Sequence, residues 1–226
     1  MIQRITVLDE GFVELVDIMG SDQRVIDAAR VSTGTKSDPD RDTILIKYLM
    51  NNHHETPFEK VVFEFHIKCP LFVARQWMRH RISSFNERSA RYRVFEESHY
   101  VPNLTDIPEC YTEEDLTEYN AALETQFNVY KKLYSKAEAN PEWRKRAREI
   151  WRGLLGTSFY TEFFWTVNFR SLMNFLELRL DPAAQFEIRE FALAIQKLIQ
   201  DSAAIPVSYS AFEERLKFEK NALKKK

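Results

Sequence analysis

An alternating run of apolar and polar residues near the middle of the chain limits the architectures open to it. At residues 61–68 the sequence VVFEFHIK alternates Phe63, Phe65 and Ile67 with charged or polar side chains. Because successive side chains of a strand point to opposite faces, this pattern predicts a β-strand with one buried face. Pro70 then ends the strand and suits the first turn of a following helix. The chain is therefore expected to contain a sheet that is covered on one side.

Segments with helical periodicity outnumber the predicted strands. Residues 4–19 predict a β-hairpin in which Gly11 supplies a positive φ in the turn. In other segments apolar residues recur at steps of three and four. These segments predict helices within residues 23–32, 43–54, 71–80, 112–137, 141–154, 169–180 and 182–198, and residues 159–168 predict a second long strand. We therefore predict an α+β fold, a single helix-rich domain over residues 1–226 with a small, mainly antiparallel sheet and a frayed tail at residues 220–226.

The composition argues against several classes of protein. Only five of the 226 residues are glycine, and their positions allow neither a dinucleotide-binding GxGxxG turn nor a P-loop, so side chains must hold any phosphate. Cys69 and Cys110 are too few for a disulfide framework and lack the spacing of a zinc site, so we expect a reducing compartment and no metal. No run approaches the roughly 20 apolar residues that span a bilayer, and we expect a cytoplasmic protein without a membrane partner.

Positive charge is concentrated in residues 75–93, RQWMRHRISSFNERSARYR. This segment contains six arginines, no lysine and a single carboxylate, in a chain whose formal net charge is −2. Guanidinium groups grip phosphates or carboxylates at two points, which lysine does less well, so the segment predicts a binding site for an anionic ligand. Gln76 and Arg79 are three residues apart on the predicted helix and are expected to point into the same space. The alternative is a set of surface salt bridges with acidic residues elsewhere.

The arginine segment resembles the signature of the flavin-dependent thymidylate synthases. That signature is Arg-His-Arg, two residues, Ser, one residue, Asn-Glu, one residue, Ser, one residue and Arg-Tyr. All nine specified residues are present, as Arg79, His80, Arg81, Ser84, Asn86, Glu87, Ser89, Arg91 and Tyr92. The resemblance continues in RVS at residues 30–32, HETPFE at residues 54–59 and FFWTVNFRSLMNFLELR at residues 163–179. It does not cover residues 103–150, a predicted helical segment.

The resemblance implies an enzyme, a methyltransferase that forms dTMP by reductive methylation of dUMP. FAD would be its cofactor, 5,10-methylenetetrahydrofolate would supply the carbon, and NADPH would supply the reducing equivalents. It also implies a homotetramer in which several chains build each active site. The arginines would then bind two phosphorylated ligands, FAD and dUMP, that meet in one pocket.

Two sets of binding residues follow from the resemblance. The implied flavin-binding residues are Ser32, His54, Thr56, Arg79, His80, Arg81, Glu87, Asn168, Phe169, Arg170 and Asn174. The implied nucleotide-binding residues are Gln76, Arg79, Glu87, Arg88, Ser89, Ala90, Arg91, Arg152 and Arg179. Arg179 is the implied catalytic residue, because a cation that faces the uracil ring stabilises its deprotonated ring nitrogen. Arg148, which follows an alanine, competes with Arg152 for the same role, and we favour Arg152.

Other interpretations of these residues stay open. The arginines, with Tyr92 and Phe85 as stacking rings, could form a nucleotide- or RNA-binding module without catalysis, although the slightly acidic chain disfavours a nucleic-acid partner. A hydrolase with Glu87 as its base would need a metal or a nucleophile that the sequence does not supply. Cys69 lies outside the matched motifs and is expected to be buried and inert. The adjacent histidines at residues 53–54 lack the spacing of metal ligands, so no metal site is predicted there.

Overall fold

A five-stranded antiparallel sheet is the centre of the fold. The computed structural model of the protein describes residues 3–31, 34 and 38–223. In this part of the chain the strands are β1 (Gln3–Val7), β2 (Gly11–Met19), β3 (Val62–Pro70), β4 (Ser84–Glu87) and β5 (Tyr160–Asn168). Their order across the sheet is β1-β2-β3-β5-β4, and every neighbouring pair is antiparallel. The predicted α+β class with a mainly antiparallel sheet is confirmed.

The alternating run at residues 61–68 forms the central strand β3, as predicted. The strand pairs with β2 on one side and with β5 on the other. Phe63, Phe65 and Ile67 are fully buried on one face, where the register places Trp165 of β5 opposite Phe65. Each such burial contributes about 1.5–3 kcal/mol relative to leaving the side chain exposed. The hydrophobic core therefore lies against this face of the sheet.

Helices pack against the strands to complete the core. The described α-helices are α1 (Asp22–Arg30), α2 (Pro39–Asn51), α3 (Leu71–Trp77), α4 (Glu113–Glu138), α5 (Pro141–Trp151), α6 (Phe169–Arg179), α7 (Phe186–Ser202) and α8 (Pro206–Leu223). Helix α4 begins as predicted, with Thr112 as its N-cap in a capping box. Helix α7 begins at Phe186 instead of directly after Pro182, because a turn closed by the backbone of Asp181 and Ala184 comes between.

Helix α8 is absent from the predictions made on the sequence. The backbone amides of Val207 and Ser208 in its first turn donate to the carboxylate of Asp22, at 2.8 and 2.9 Å. Pro206 at the first position of the helix is a local sign of a helix start, but the capping side chain comes from a residue far away in the chain. The helix continues to Leu223, into the predicted frayed tail, whose last three residues lie outside the described part of the chain.

The turn between β1 and β2 uses its glycine differently from the prediction. The residue with a positive φ is Leu8, at 60°, whereas Gly11 pairs with Val7 in the ladder. Gly11 is needed for close packing instead. A Cβ at this position would lie 2.7 Å from the Val7 carbonyl oxygen and 2.9 Å from both the Lys68 carbonyl oxygen and Cζ of Phe191. A larger residue would therefore push β2 away from β3 or from α7.

Replacement of Gly11 by alanine is expected to destabilise the fold by about 1–3 kcal/mol, the usual effect of overpacking a filled core. The matched control is Gly153→Ala, because an added Cβ there has no atom within 4 Å. Thermal unfolding measures the difference: Gly11→Ala should melt roughly 2–10 °C below the wild type, and Gly153→Ala close to it. Equal melting temperatures of the two variants would contradict the close-packing role.

Strand β4 occupies residues 84–87, which the sequence predicts to be part of a polar loop. It pairs with residues 163–166 of β5 at the edge of the sheet, and Phe85 packs against the core. Its other three side chains are polar and exposed, so its four residues show little of the alternation that marks β3. The strand is important for the site, because it separates residues 79–82 from residues 88–91.

Candidate functional site

The first candidate site begins where helix α3 ends, at Trp77. This side chain is fully buried and stacks on Phe175 with ring centroids 4.9 Å apart. Backbone hydrogen bonds from Arg79 to the carbonyl of Gln76, at 3.3 Å, and from His80 to the carbonyl of Trp77, at 3.0 Å, close a tight turn. Arg79 therefore lies outside the helix. The predicted common helical face of Gln76 and Arg79 is wrong, because the helix ends between them.

The RHR turn (residues 79–81) and helix α6 enclose a cavity of about 560 Å³, called the RHR cavity. Its lining residues are Glu55, Glu59, Arg79, His80, Arg81, Ile82, Val167, Arg170, Ser171, Asn174, Leu178 and Arg179. Four of them are arginines, and two are carboxylates that pair with one of the arginines. Such a wall suits a ligand with anionic groups, since charge-assisted hydrogen bonds are the strong ones.

Arg170 is held on the wall of the RHR cavity by two glutamates of the HETPFE segment. Its Nη1 donates to Glu59 Oε1 at 2.6 Å, and its Nε lies 3.3 Å from Glu55 Oε2. The hydrogen bond to Glu59 is the main cause that raises the pKa of Arg170. Glu55 also accepts a hydrogen bond from the buried Arg215 of α8 at 2.7 Å. The two glutamates orient Arg170 and are not among the predicted site residues, although they lie inside a matched motif.

Arg179, the last residue of α6, contacts His80 on the wall of the RHR cavity. Its Nε donates to His80 Nε2 at 3.1 Å, and its Nη2 lies 3.5 Å from the carbonyl oxygen of Gln76. Because a guanidinium group has only donors, the His80 proton must be on Nδ1. Burial, and then the charge of Arg179, lower the pKa of His80 from 6.5 to about 4. His80 is therefore neutral at pH 7, and an electrically neutral partner leaves the positive charge of Arg179 unbalanced.

A second cavity, the Ser89 cavity, has a volume of about 450 Å³ and begins at the end of strand β4. Its lining residues are Leu71, Glu87, Arg88, Ser89, Ala90, Arg91, Phe95, Arg152, Leu155 and Thr161. The carboxylate of Glu87 accepts from the buried hydroxyl of Thr161 at 2.8 Å. Oγ of Ser89 accepts from the backbone amide of Arg91 at 3.3 Å, which shapes the loop. Three arginines here again suit an anionic ligand.

Arg88 supplies positive charge beneath the wall of the Ser89 cavity. Its guanidinium carbon lies 4.7 Å from the ring centroid of Phe95, and its Nη1 lies 3.7 Å from Oε1 of Glu162. Its Nε and Nη2 are buried without a hydrogen-bond partner. Buried donors without acceptors are unfavourable, so this charge is incompletely neutralised and would stabilise an anion in the cavity.

The competing arginines of helix α5 and the turn after it lie in different environments. Arg148 donates to the carbonyl of Tyr92 at 3.1 Å and to the hydroxyl of Tyr134 at 3.2 Å. Arg152 lines the Ser89 cavity, and its Nε donates to the carbonyl of Glu149 at 3.3 Å. The geometry therefore favours Arg152 over Arg148 as a ligand-binding residue.

Twelve of the predicted site residues divide between two cavities that share no lining residue. The RHR cavity contains Arg79, His80, Arg81, Arg170, Asn174 and Arg179, and the Ser89 cavity contains Glu87, Arg88, Ser89, Ala90, Arg91 and Arg152. The expectation that these arginines surround one pocket is not met within a single chain. Strand β4 is the reason, since four extended residues span about 13 Å and hold the RHR turn and the Ser89 loop apart.

Five predicted residues of the described part of the chain line neither cavity: His54, Thr56, Gln76, Asn168 and Phe169. Asn168 uses its side chain to cap helix α6, and Phe169 is fully buried in the core. His54 and Thr56 are exposed, and Ser32 lies outside the described residues. The flavin-binding set therefore includes two residues, Asn168 and Phe169, that are engaged in folding. Gln76 of the nucleotide-binding set is hydrogen-bonded to Gln185 and lines neither cavity within one chain.

The described part of the chain gives little support for a cysteine nucleophile, a metal site or a membrane-spanning helix. Cys69 is fully buried, and its burial raises the pKa of the thiol well above the ordinary value, which supports the prediction of an inert residue. No group of three or more His, Cys, Asp or Glu residues among those described could hold a metal ion. Among the described helices, none combines the length and the apolar character that a crossing of the bilayer requires.

The chain matches one protein family over most of its length. Residues 14–205 match the family model described as thymidylate synthase complementing protein. A protein named flavin-dependent thymidylate synthase from Pseudothermotoga lettingae is 45% identical over 222 residues, with 97% of each chain covered. A protein of the same name from Thermus thermophilus is 41% identical over 223 residues, with 94% of this chain and 79% of the relative covered.

A solved structure shares the fold. The crystal structure of a UMP/dUMP methylase, PolB from Streptomyces cacaoi, bound with 5-Br dUMP, aligns with a TM-score of 0.79 and 33% sequence identity. The alignment covers 93% of this chain and 97% of that chain. The similarity therefore extends over the sheet and the helices that carry both cavities.

Proposed function

Because this chain belongs to the flavin-dependent thymidylate synthase family, we infer that it is a methyltransferase that forms dTMP from dUMP with FAD as its cofactor. We further propose 5,10-methylenetetrahydrofolate as the carbon donor and NADPH as the reductant. The observation that carries this function is the pair of arginine-lined cavities on either side of strand β4. Each cavity has the charge that one phosphorylated ligand requires.

We assign FAD to the RHR cavity. The cavity presents Arg79, Arg81 and Arg170 to the diphosphate, with the hydrogen-bonding side chains of Ser171 and Asn174 beside them. Arg170 is already oriented by its two glutamate partners, so less side-chain freedom is lost on binding. When bound, FAD supplies the electrons that reduce the transferred carbon to a methyl group. The protein then has to bind and orient the ligands and to exclude water.

We assign the phosphate of dUMP to the Ser89 cavity. The loop places Ser89 and Arg91 beside each other, and Arg152 reaches the cavity from the turn after α5. Two guanidinium groups and a hydroxyl can donate hydrogen bonds to the three oxygens of a phosphate without a glycine-rich turn. Arg88 adds its incompletely neutralised charge from beneath the wall. This arrangement agrees with the small number of glycines in the sequence.

Arg179 is the residue that we propose as catalytic. Its guanidinium group lines the RHR cavity, where burial lowers its pKa, and its hydrogen-bond partner His80 is a neutral imidazole that does not balance its positive charge. A positive charge held against the uracil ring stabilises the ring in its deprotonated form and so activates the base. His80 orients the guanidinium group by accepting its Nε–H, without competing for its charge.

We propose that a homotetramer completes each active site. FAD and dUMP must be in contact to react, yet the RHR cavity and the Ser89 cavity are separate within one chain. Large apolar side chains next to both cavities are exposed, Ile82 at 75% and Tyr92 at 72%. Another subunit packed there would bury these two side chains. The RHR cavity of one subunit would then face the Ser89 cavity of another.

We also propose a cytoplasmic location, without a membrane or nucleic-acid partner. Both cysteines of the chain are free thiols, which agrees with a reducing compartment. The alternative of an RNA-binding module is not favoured, because Phe85 packs against the core and is not available for base stacking.

The test combines flavin content with turnover. The purified protein should become yellow after incubation with FAD and removal of the excess. Mixed anaerobically with NADPH, dUMP and methylenetetrahydrofolate, it should form dTMP. Protein that retains no flavin, or flavin-loaded protein that forms no dTMP with all three substrates present, would refute the proposed function.

A further inference from the structure

A chain of hydrogen bonds connects Gln76, a residue of the implied nucleotide-binding set, with helix α7. Nε2 of Gln76 donates to Oε1 of Gln185 at 2.5 Å. Nε2 of Gln185 in turn donates to Oε2 of Glu187 at 2.7 Å. Gln185 is the N-cap residue of α7 and Glu187 lies in the first turn of that helix. The end of a packed helix therefore holds the two residues that contact or support Gln76.

The carboxylate of Glu187 sets the direction of both hydrogen bonds in this series. An ionised Glu187 can only accept hydrogen bonds, so Gln185 must turn its NH₂ group towards it. The oxygen of the same amide then faces Gln76, which must present its own NH₂ group in return. Both amides are therefore oriented by one group that cannot donate.

Tyr100 and Glu187 line the same surface cavity. The tyrosine is 4% exposed, and burial, followed by the negative charge of Glu187, raises the pKa of its hydroxyl group. That hydroxyl therefore stays protonated. The carboxylate of Glu187 thus has a neutral phenol nearby and accepts its hydrogen bond from Gln185.

We propose that Glu187, acting through Gln185, is a positioning residue that fixes the amide of Gln76 with its oxygen towards the nucleotide. The proposal rests on the proposed function, in which Gln76 contacts dUMP. Gln76 would offer dUMP an acceptor oxygen and its one remaining N–H. The backbone carbonyl oxygen of Gln76 lies 3.5 Å from Nη2 of Arg179, which places this residue beside the guanidinium group that we propose as catalytic. If the amide of Gln76 were turned the other way, its NH₂ group would face a hydrogen-bond donor of dUMP, and neither donor would have an acceptor.

The variant Glu187→Gln tests the proposal. An amide both donates and accepts, so it no longer imposes a direction on Gln185, while the side chain keeps its size. In FAD-loaded protein, the Kd for dUMP measured by calorimetry should rise about three- to tenfold, as expected for one hydrogen bond between neutral groups. FAD content and melting temperature should stay unchanged. Glu190→Gln, on the same helix, is the matched control and should bind dUMP as the wild type does.

A double-mutant cycle separates positioning from a general structural effect. Gln76→Ala should also weaken dUMP binding, and Glu187→Gln added to it should have no further effect, since Glu187 acts only through Gln76. An unchanged Kd in Glu187→Gln, or additive effects of the two substitutions, would overturn the proposal. Wild-type protein that binds dUMP but forms no dTMP would overturn the proposed function alone. Wild-type protein that does not bind dUMP would overturn both.

Discussion

Replacement of Arg179 by alanine is expected to lower dTMP formation by roughly 100- to 1000-fold while FAD stays bound, the usual effect of removing one group that stabilises developing charge. The variant loses the only proposed cation at the uracil ring. It keeps Arg79, Arg81 and Arg170 in the RHR cavity, so the diphosphate of FAD keeps its partners. Turnover is measured as dTMP formed, and retention of FAD is measured by flavin absorbance after gel filtration.

The same variant changes the titration of His80. In the wild type, burial and then the charge of Arg179 lower the pKa of His80 to about 4. Removal of Arg179 eliminates the charge and uncovers the ring, so this pKa should rise towards 6.5. A histidine with a lower pKa in the folded state makes stability fall as the pH drops from 6.5 to 4, because the unfolded chain then binds more protons. That loss of stability should be smaller in Arg179→Ala, and NMR titration of the ring measures the pKa directly.

Two outcomes would contradict the role of Arg179. Turnover at the wild-type rate would exclude a catalytic function, and loss of FAD together with turnover would place its main contribution in cofactor binding. The control is Arg146→Ala, which removes an exposed arginine of α5 that pairs with Glu149 within its own helix. Such surface pairs contribute little, so this variant should retain FAD, turnover and stability.

Replacement of Arg152 by alanine should raise the Kd for dUMP by roughly 10- to 100-fold, since a charge-assisted hydrogen bond to phosphate is worth about 1.5–3 kcal/mol. FAD binding should not change, because Arg152 lines the Ser89 cavity and not the RHR cavity. The fold should also be unaffected, as its side chain makes a single hydrogen bond, to a carbonyl group of its own helix end. Calorimetric titration of the FAD-loaded protein with dUMP measures the effect.

Arg148→Ala is the matched control for Arg152→Ala. Arg148 connects helix α5 to the carbonyl of Tyr92 and to the hydroxyl of Tyr134, so its removal should lower the melting temperature and leave dUMP affinity nearly unchanged. The reverse pattern, with affinity lost in Arg148→Ala and kept in Arg152→Ala, would show that Arg148 binds the phosphate.

The variants Arg179→Ala and Arg152→Ala together test whether subunits share the active site, when activity is assayed at a dUMP concentration well below the Kd of Arg152→Ala. Arg179→Ala removes the catalytic group of the RHR cavity, and Arg152→Ala damages the Ser89 cavity. If the two cavities of one active site come from different subunits, mixed oligomers formed by refolding or subunit exchange contain some sites in which both arginines are intact. Part of the activity should then return on mixing. Absence of any recovery in demonstrably mixed oligomers would place both cavities of a site in one chain.

Local sequence patterns were sufficient to predict those strands and helices in which the packing follows the sequence periodicity. The alternation around Phe63 and Phe65 predicts β3, and the capping residue Thr112 predicts the start of α4. They were insufficient where a distant residue supplies the contact. Asp22 caps helix α8 from the other end of the chain, and Gly11 is explained by the atoms of Lys68 and Phe191, which no local rule reveals.

The candidate site shows the same division between residues that the sequence predicts and contacts that only the folded structure reveals. The spacing from Arg79 to Tyr92 identifies the family, and the match extends to Arg170 and Arg179. The partners that orient these arginines do not follow from spacing. Glu55 and Glu59 were within a matched motif, yet only the packing of α6 beside them shows that they hold Arg170. Gln185 and Glu187 carried no sequence signal at all.

The order of residue types along the chain was enough to specify the fold class and the family and to predict which arginines bind phosphate, because periodicity and motif spacing are properties of neighbouring residues. The folded structure alone decided that the RHR turn and the Ser89 loop form two separate cavities, since strand β4 adds to the edge of β5 and holds them apart. It also decided the charge state of His80. Burial and through-space charge depend on distances between residues far apart in sequence, and a linear pattern contains no such distances.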